Sequence, residues 1–126
     1  MNVPKELFYT KDHEWLKIED NTFTIGITDF AQGELGDIVF MELPELNINV
    51  NNGDSVGTIE AVKTVADVYT PISGEIIDVN LKLEDEPELI NNDPYEKGWI
   101  VKIKSESVID SDEFLSDKDY IQFIEE

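Results

Sequence analysis

Residues 57–71 read GTIEAVKTVADVYTP and form two runs of β-branched, small and aromatic residues on either side of one lysine, Lys63. Runs of this composition favour extended strands. Gly53-Asp54 precedes the stretch and Ser73-Gly74 follows it, and both dipeptides are typical of turns. The pattern therefore predicts two strands that fold back on each other as a β-hairpin, with Lys63 at its tip and the lysine side chain in solvent.

A lysine in this position is better suited to carrying a group than to catalysis. A lysine in solvent stays protonated at neutral pH, and a nearby carboxylate such as that of Glu60 stabilises its charge. It is then a poor nucleophile or base. Amide formation removes the charge and leaves a long, flexible tether. The alternative is an ordinary surface lysine in a hairpin turn, and the spacing alone leaves both interpretations open.

The composition indicates one strongly acidic domain. The chain has 126 residues, of which 40% are hydrophobic, and its formal net charge is -20. This length suits one compact domain, residues 1–126, and not two. Such a charge excludes nucleic acid and anionic membranes as expected partners. We expect a monomer whose protein partners present basic docking surfaces.

The residue types also limit the chemistry. There is no cysteine and only one histidine, His13. A His-Glu zinc motif needs a second histidine four residues after the first, where this chain has Lys17. We therefore predict no metal site, a packed or hydrogen-bonded His13, and no disulfide. No apolar run reaches membrane-spanning length and no leader peptide is evident, so we expect a bacterial cytoplasmic protein, or a mitochondrial matrix protein whose presequence has been removed.

The rest of the chain predicts a mainly β fold with small helices. Thr28 or Asp29 is expected to cap a helix that ends near Leu35, with Gln32 completing a capping box. Ser116 is expected to cap a C-terminal helix, with fraying at Glu125-Glu126. Residues 1–6 are predicted to be a loose lead-in, 46–52 a polar connection, and 84–93 a loop with one helical turn at 88–90. Strands are predicted at 7–10, around 16–18, and at 22–27, 38–43, 74–80 and 99–104.

Residues 60–75 resemble the lipoyl-attachment motif of the glycine cleavage H-protein family. That motif places Glu-(Ser/Ala)-Val before the lysine, Asp four residues after it, and Pro-hydrophobic-Ser-Gly-Glu at its end. Ala61, where serine is frequent, is a mild departure, and Gly33 departs from the family in the first helix. The matching positions within the motif are Glu60, Ala61, Val62, Lys63, Asp67, Val68, Tyr69 and 71–75. Residues 9–15, 26–37 and 89–99 also resemble the family, so the resemblance covers nearly the whole chain.

The resemblance implies a barrel-sandwich hybrid of the lipoyl/biotinyl kind, with small peripheral helices and a C-terminal helix. It implies lipoic acid amide-linked to Lys63 and a carrier rather than an enzyme. Glycine decarboxylase (P protein) would load an aminomethyl group on the arm, and a tetrahydrofolate-dependent aminomethyltransferase (T protein) would remove it. Dihydrolipoyl dehydrogenase (L protein) would re-oxidise the arm, and a lipoate-attaching enzyme would modify Lys63.

Four carboxylates are candidate site residues. We expect Glu60 and Asp67 to be read by the modifying enzyme, because they flank the hairpin tip as negative charges. The resemblance implies that Glu14 and Asp67 hold the loaded arm against the domain, and the sequence itself offers the carboxylate of Asp12 as a third candidate. The alternative for Asp12 and Glu14 is plain surface charge on a strand.

Other functions remain open at this stage. A lipoyl domain of a 2-oxoacid dehydrogenase, a lipoyl relay to such enzymes, or a biotin carrier would also present a tip lysine. Those domains usually have Asp-Lys-Ala or Met-Lys-Met, which Val62-Lys63-Thr64 does not match. A hydrolase or metal enzyme would need polar constellations that the sequence lacks. An acidic scaffold would need no modification at all.

Overall fold

The computed structural model describes residues 1–125 and arranges their strands in two antiparallel sheets that share one core. The smaller sheet consists of β4 (Ile38–Glu42), β6 (Ser55–Ala61) and β7 (Val65–Tyr69), in that order. The larger sheet consists, in spatial order, of β1 (Phe8–Tyr9), β2 (Glu14–Glu19), β3 (Thr22–Ile27), β9 (Val101–Lys104), β8 (Gly74–Val79) and β5 (Asn49–Val50).

Both sheets contribute side chains to the same hydrophobic core. Leu16 and Ile25 from the larger sheet and Met41 and Ile59 from the smaller sheet are almost completely buried in one cluster. The β-branched and aromatic residues of these strands suit a pleated surface with one buried face. This is the barrel-sandwich arrangement expected from the sequence, and it leaves the β6–β7 turn at one end of the smaller sheet.

The helices lie around the sheets. They are α1 (Asp29–Leu35), α2 (Lys82–Asp85), α3 (Leu89–Asn92) and α4 (Asp117–Glu125), with a 3₁₀ turn at Ser111–Glu113. None of the helices in residues 1–125 is long and apolar enough to cross a membrane. The small peripheral helices and the C-terminal helix are those expected from the sequence. Fraying was predicted at Glu125-Glu126, and Glu126 lies outside the described residues.

The caps of the two longer helices are only partly as predicted. Thr28 caps α1, because its Oγ1 accepts a hydrogen bond from the Ala31 amide at 3.2 Å. Gln32 does not complete a capping box with Asp29, because Asp29 is already the first helical residue. Instead, the side-chain amide of Gln32 donates to the Asp29 Oδ1 at 2.7 Å. At the other end of the chain, Ser116 Oγ accepts from the Asp119 amide at 3.1 Å, as expected of a cap.

A second hydrophobic cluster packs α4 against the N-terminal strands. Tyr9 and Tyr120 are fully buried and stack with ring centroids 4.9 Å apart. The Tyr120 hydroxyl lies 2.8 Å from His13 Nδ1 and 2.7 Å from Thr28 Oγ1. His13 is therefore the packed and hydrogen-bonded histidine that the sequence predicts.

Three predicted segments differ in the structure. The polar connection at 46–52 contains β5, which pairs with β8 because Val50 is buried in the shared core. Helix α2 was not predicted; it places the side chain of its own residue Leu83 in the shared core. Strand β9 begins at Val101 rather than at residue 99, because the Trp99 carbonyl accepts a hydrogen bond at 2.8 Å from the Asn80 side-chain amide instead of from a neighbouring strand.

The lead-in at residues 1–6 is tied down rather than loose. The Asn2 amide donates to the Asp29 carboxylate at 2.9 Å, and the Tyr95 hydroxyl donates to the Asn2 carbonyl at 2.6 Å. The Tyr9 hydroxyl also donates to the Pro4 carbonyl. The helical turn predicted at 88–90 is shifted by about a residue, to α3.

Candidate functional site

Lys63 lies in the tight connection between β6 and β7. Glu60 pairs with Val65 as the last ladder pair, and the Ala61 amide donates to the Thr64 carbonyl at 2.8 Å to close the turn. Lys63 is exposed, as are its neighbours in the turn. The structure thus contains the hairpin expected from residues 57–71, with the lysine projecting from a short, hydrogen-bonded tip.

The tip rests on the segment that connects α1 to β4. The Val62 amide donates to the Asp37 carbonyl at 3.0 Å. A Cβ built on Gly36 would stand 3.6 Å from the Cε of Lys63, so the aliphatic part of the lysine runs beside this glycine. Gly36 has a φ of 80°, a conformation in which other residues are strained. The backbone around Gly36 therefore lies close to the base of the candidate tether.

Glu14 is buried, with only 3% of its surface exposed, so the surface-charge interpretation of this residue is wrong. Its carboxylate accepts hydrogen bonds at 3.0 Å from the Thr10 hydroxyl and at 3.0 Å from the Tyr69 amide. Burial, with a smaller contribution from the nearby charge of Asp12, raises the pKa of Glu14 to about 7 against the opposing effect of these two hydrogen bonds. This carboxyl group therefore changes its charge near neutral pH.

Asp67 lies on the same edge strand as Tyr69. Its Oδ1 accepts from the Thr58 hydroxyl at 2.8 Å, and its Oδ2 is 3.5 Å from the Tyr69 hydroxyl. Tyr69 thus contacts both candidate carboxylates, Glu14 through its amide and Asp67 through its hydroxyl. Sequence reasoning placed Tyr69 in the motif but assigned it no role, because a main-chain contact to a distant strand leaves no mark in local composition.

Asp12 is exposed, and its amide donates to the Thr10 hydroxyl at 3.3 Å. The same hydroxyl accepts from the Glu14 amide at 3.2 Å, so one threonine organises the turn that bears both acids. Asp12 remains close enough to Glu14 to affect its titration. The structure therefore brings Glu14 and Asp67 to a common neighbour, Tyr69, and leaves Asp12 on the solvent side.

Glu60 is exposed in the centre of the smaller sheet, between Phe40 of β4 and Val65 of β7. These two neighbours and Val62 at the tip are unusually exposed for large apolar residues, at 44%, 60% and 76%. The surface around Lys63 is therefore apolar with acidic groups among the apolar side chains. Sequence reasoning missed this patch; the position of Val62 and Val65 next to a predicted tip was the available indication.

Among residues 1–125, no three His, Asp or Glu side chains are grouped so that they could hold a metal ion. The carboxylates of this site each have a hydrogen-bonded or solvent-facing environment of their own. What the arrangement offers is an exposed lysine at the hairpin tip, the exposed Asp67 on the strand that follows it, and the buried Glu14 of β2 in contact with that strand. These features fit reversible holding of a cationic group better than acid-base or metal-assisted hydrolysis.

Two antiparallel sheets around one core, with an exposed lysine at a hairpin tip, define a domain of the lipoyl and biotinyl carrier class. Residues 7–126 match the family model described as "Glycine cleavage H-protein". The chain therefore belongs to the glycine cleavage H-protein family.

Similar proteins agree with this assignment. A glycine cleavage system H protein of Listeria monocytogenes serotype 4a is 55% identical over 120 residues, which cover 95% of this chain and 96% of the relative. One from Staphylococcus haemolyticus is 52% identical over 126 residues, the whole of both chains. The crystal structure of a glycine cleavage system H protein from Mycobacterium marinum has a TM-score of 0.88 at 36% identity, covering 98% of this chain and 100% of that one.

Proposed function

We propose that this chain is the lipoyl carrier of glycine cleavage, with the lipoyl group amide-linked to Lys63. The observation that carries the proposal is the position of Lys63 at an exposed, hydrogen-bonded hairpin tip in a member of the H-protein family. The exposed side chain of Lys63 is accessible to a modifying enzyme. Glu60 and Asp67 flank the lysine and would be recognised by a basic groove of that enzyme.

The cofactor would supply a dithiolane that accepts an aminomethyl group and is later re-oxidised from the dithiol. The chain itself has no cysteine, so the sulfur atoms of this chemistry have to come from the cofactor. The partners would be glycine decarboxylase (P protein), the aminomethyltransferase (T protein) and dihydrolipoyl dehydrogenase (L protein), together with a lipoate-attaching enzyme. The protein would be a substrate of each partner rather than an enzyme, and tethering would raise the effective concentration of the carried group.

The carboxylates next to the hairpin would hold the loaded arm. An aminomethyl group on sulfur carries a cationic amine at neutral pH, and a charge-assisted hydrogen bond to a carboxylate is stronger than a neutral one. Glu14 and Asp67 both contact Tyr69, which supports a common docking place for that amine. Asp12, exposed beside them, would add to the local negative potential. Residues 1–126 would form a single domain working in the cytoplasm.

Mass spectrometry tests the assignment. Protein purified from its own host should show the added mass of one lipoyl group, and peptide mapping should place it on Lys63. Reaction with glycine and the decarboxylase should then load the arm, whereas a 2-oxoacid dehydrogenase with its own substrate should not. An unmodified native protein, or a lipoyl group on another lysine, would contradict the proposal.

A further inference from the structure

Asn91 in α3 has its side-chain amide committed to three hydrogen bonds. Its Oδ1 accepts from the Ile38 amide at 2.9 Å. Its Nδ2 donates to the Gly36 carbonyl at 2.9 Å and to the Gln32 side-chain carbonyl at 3.0 Å. One N–H group and two carbonyl oxygens surround the amide, so only one orientation of the side chain satisfies all three. Asn91 thereby binds both ends of the segment 36–38 from a helix more than fifty residues later.

The segment that Asn91 holds is the one on which the hairpin tip rests. The middle residue, Asp37, accepts the hydrogen bond from Val62, and the Lys63 side chain runs beside Gly36. Gly36, with its φ of 80°, has no side chain to fix the local backbone by packing. The bonds to Asn91 replace that missing restraint. A continuous path of contacts therefore runs from Asn91 through Gly36 and Asp37 to the two residues at the tip.

We propose that Asn91 is a positioning residue, which fixes the direction in which the hairpin presents Lys63 to the enzymes that modify and use it. This inference rests on the proposed function in one respect, namely that Lys63 is the modified residue. The geometric part does not depend on it. When Asn91 is replaced, the segment 36–38 loses its anchor, the Val62 hydrogen bond to Asp37 opens more often, and Lys63 is presented in a wider range of orientations.

Two substitutions separate positioning from folding. Asn91→Ala removes all three hydrogen bonds, whereas Asn91→Asp keeps the acceptor for the Ile38 amide and places an oxygen against the Gly36 and Gln32 oxygens. Asn92→Ala is the matched control, because Asn92 is exposed in the same helical turn. The Ile100 amide, which donates to the Ile25 carbonyl at 2.9 Å in the core, provides an internal reference.

Amide hydrogen exchange on the unmodified protein tests the geometric part. In Asn91→Ala, we expect the Val62 amide to exchange about tenfold faster, while Ile100 keeps its wild-type protection. Asn92→Ala should leave both amides unchanged. Equal acceleration at Val62 and Ile100 would mean that Asn91 only supports global stability, and an unchanged Val62 would mean that it holds nothing at the tip; either result overturns the proposal.

Protonation of the Asn91→Asp variant gives a second readout that a purely structural role would not produce. Once protonated, the carboxyl group that this substitution introduces has an O–H that donates to the Gly36 carbonyl, as the asparagine amide does. In Asn91→Asp, the Val62 and Lys63 amide resonances should therefore move back towards their wild-type positions as the pH is lowered. In Asn91→Ala they should not. The same pH response in both variants would contradict the proposal.

Modification kinetics test the functional part. With a lipoate-attaching enzyme, Asn91→Ala should show a KM raised about tenfold and a nearly unchanged kcat, because a less defined lysine binds less often in a productive pose. If wild type itself is not modified, the proposed function fails while the exchange experiment still decides the role of Asn91. If wild type and Asn91→Ala are modified with equal kinetics, positioning of Lys63 by Asn91 is refuted.

Discussion

The Glu14 carboxylate accepts a hydrogen bond from the Tyr69 amide at 3.0 Å, and this contact joins the larger sheet to the edge strand of the smaller one. Strand β7 is the strand that leads away from Lys63. Because β7 is an edge strand, the Tyr69 amide has no neighbouring strand to donate to, and the buried Glu14 carboxylate accepts its hydrogen bond instead. Burial raises the pKa of Glu14 to about 7, so the acid at this contact between the sheets changes its charge near neutral pH.

This leads to a prediction about stability and pH. The native state binds a proton at Glu14 more tightly than the unfolded chain does, where the pKa has its ordinary value of 4.5. Between pH 4.5 and about 7 the native state therefore holds more protons, and the contribution of Glu14 to the free energy of unfolding falls as pH rises. The full loss is about 3 kcal/mol above pH 7.

The variant Glu14→Gln isolates this contribution from the other carboxylates. Glutamine keeps an acceptor for the Tyr69 amide and has no charge to bury. Relative to wild type, Glu14→Gln should gain stability by about 2–3 kcal/mol on going from pH 4.5 to pH 8, as measured by urea unfolding at each pH. Parallel stability curves for the two proteins would show that Glu14 does not titrate abnormally.

Lys63→Arg should abolish carrier activity without harming the fold. Arginine keeps the positive charge but cannot form the lipoyl amide, and the exposed tip has little packing to lose. We expect stability within about 0.5 kcal/mol of wild type and no lipoyl transfer. Lys82→Arg, on the exposed side of α2, is the matched control and should be modified normally. Activity in the Lys63→Arg protein would rule out Lys63 as the attachment site.

Glu60→Gln tests whether the modifying enzyme recognises charge next to the tip. Glu60 is exposed between two apolar residues, so a basic groove that covers them also covers its carboxylate. Removing the charge should slow lipoylation and make its rate less sensitive to salt, because an exposed ion pair is screened. Glu45→Gln changes an exposed acid outside the hairpin by the same charge and should not alter the salt dependence. Superimposable salt series for wild type and Glu60→Gln would remove Glu60 from the recognition surface.

The attachment of α4 to the N-terminal strands depends on one hydroxyl. Tyr120 is fully buried, and its hydroxyl bonds to His13 Nδ1 and Thr28 Oγ1. Tyr120→Phe preserves the stacking on Tyr9 but removes this hydroxyl from the buried Thr28 Oγ1 and the partly buried His13 Nδ1, at a cost of about 1–3 kcal/mol. Thermal unfolding measures this loss, with Ile121→Ala on the same helix as the control. Equal melting temperatures for Tyr120→Phe and wild type would mean that water replaces the hydroxyl.

The hairpin and its tip lysine were predictable because they depend on local composition. β-branched runs favour strands whatever surrounds them, and the turn residues that frame 57–71 lie within the same segment. The start of α1 was predictable to within one residue, Thr28 or Asp29, for the same reason. In each case the residues that determine the structure are close together in the sequence.

The environment of the candidate site was not predictable in the same way. The Glu14 carboxylate is bonded by the amide of Tyr69, which is 55 positions away in the sequence, and the Gly36 carbonyl by the side chain of Asn91, again 55 positions away. Strand β5 forms because Val50 reaches a core assembled from both sheets. A period-two pattern indicates which face of a strand is buried, but it does not indicate which distant backbone group will meet a carboxylate there.

The last prediction concerns protection of the carried group between enzymes. An aminomethyl group bound to sulfur is lost to water, which yields the thiol, formaldehyde and ammonia, so a carrier that holds the amine against its surface should slow this loss. Glu14 and Asp67 are the carboxylates that both contact Tyr69. After aminomethyl loading and removal of all enzymes, Glu14→Gln and Asp67→Asn should therefore release formaldehyde faster than wild type. The amide substitutions keep side-chain size, and Glu45→Ala, which removes an exposed acid elsewhere, should behave like wild type.

Because Glu14 gains its charge only near its pKa of about 7, release of formaldehyde from wild type should also slow as pH rises through that value, and Glu14→Gln should lack that pH-dependent component. Equal release rates from all four proteins would show that the arm is not held by these carboxylates.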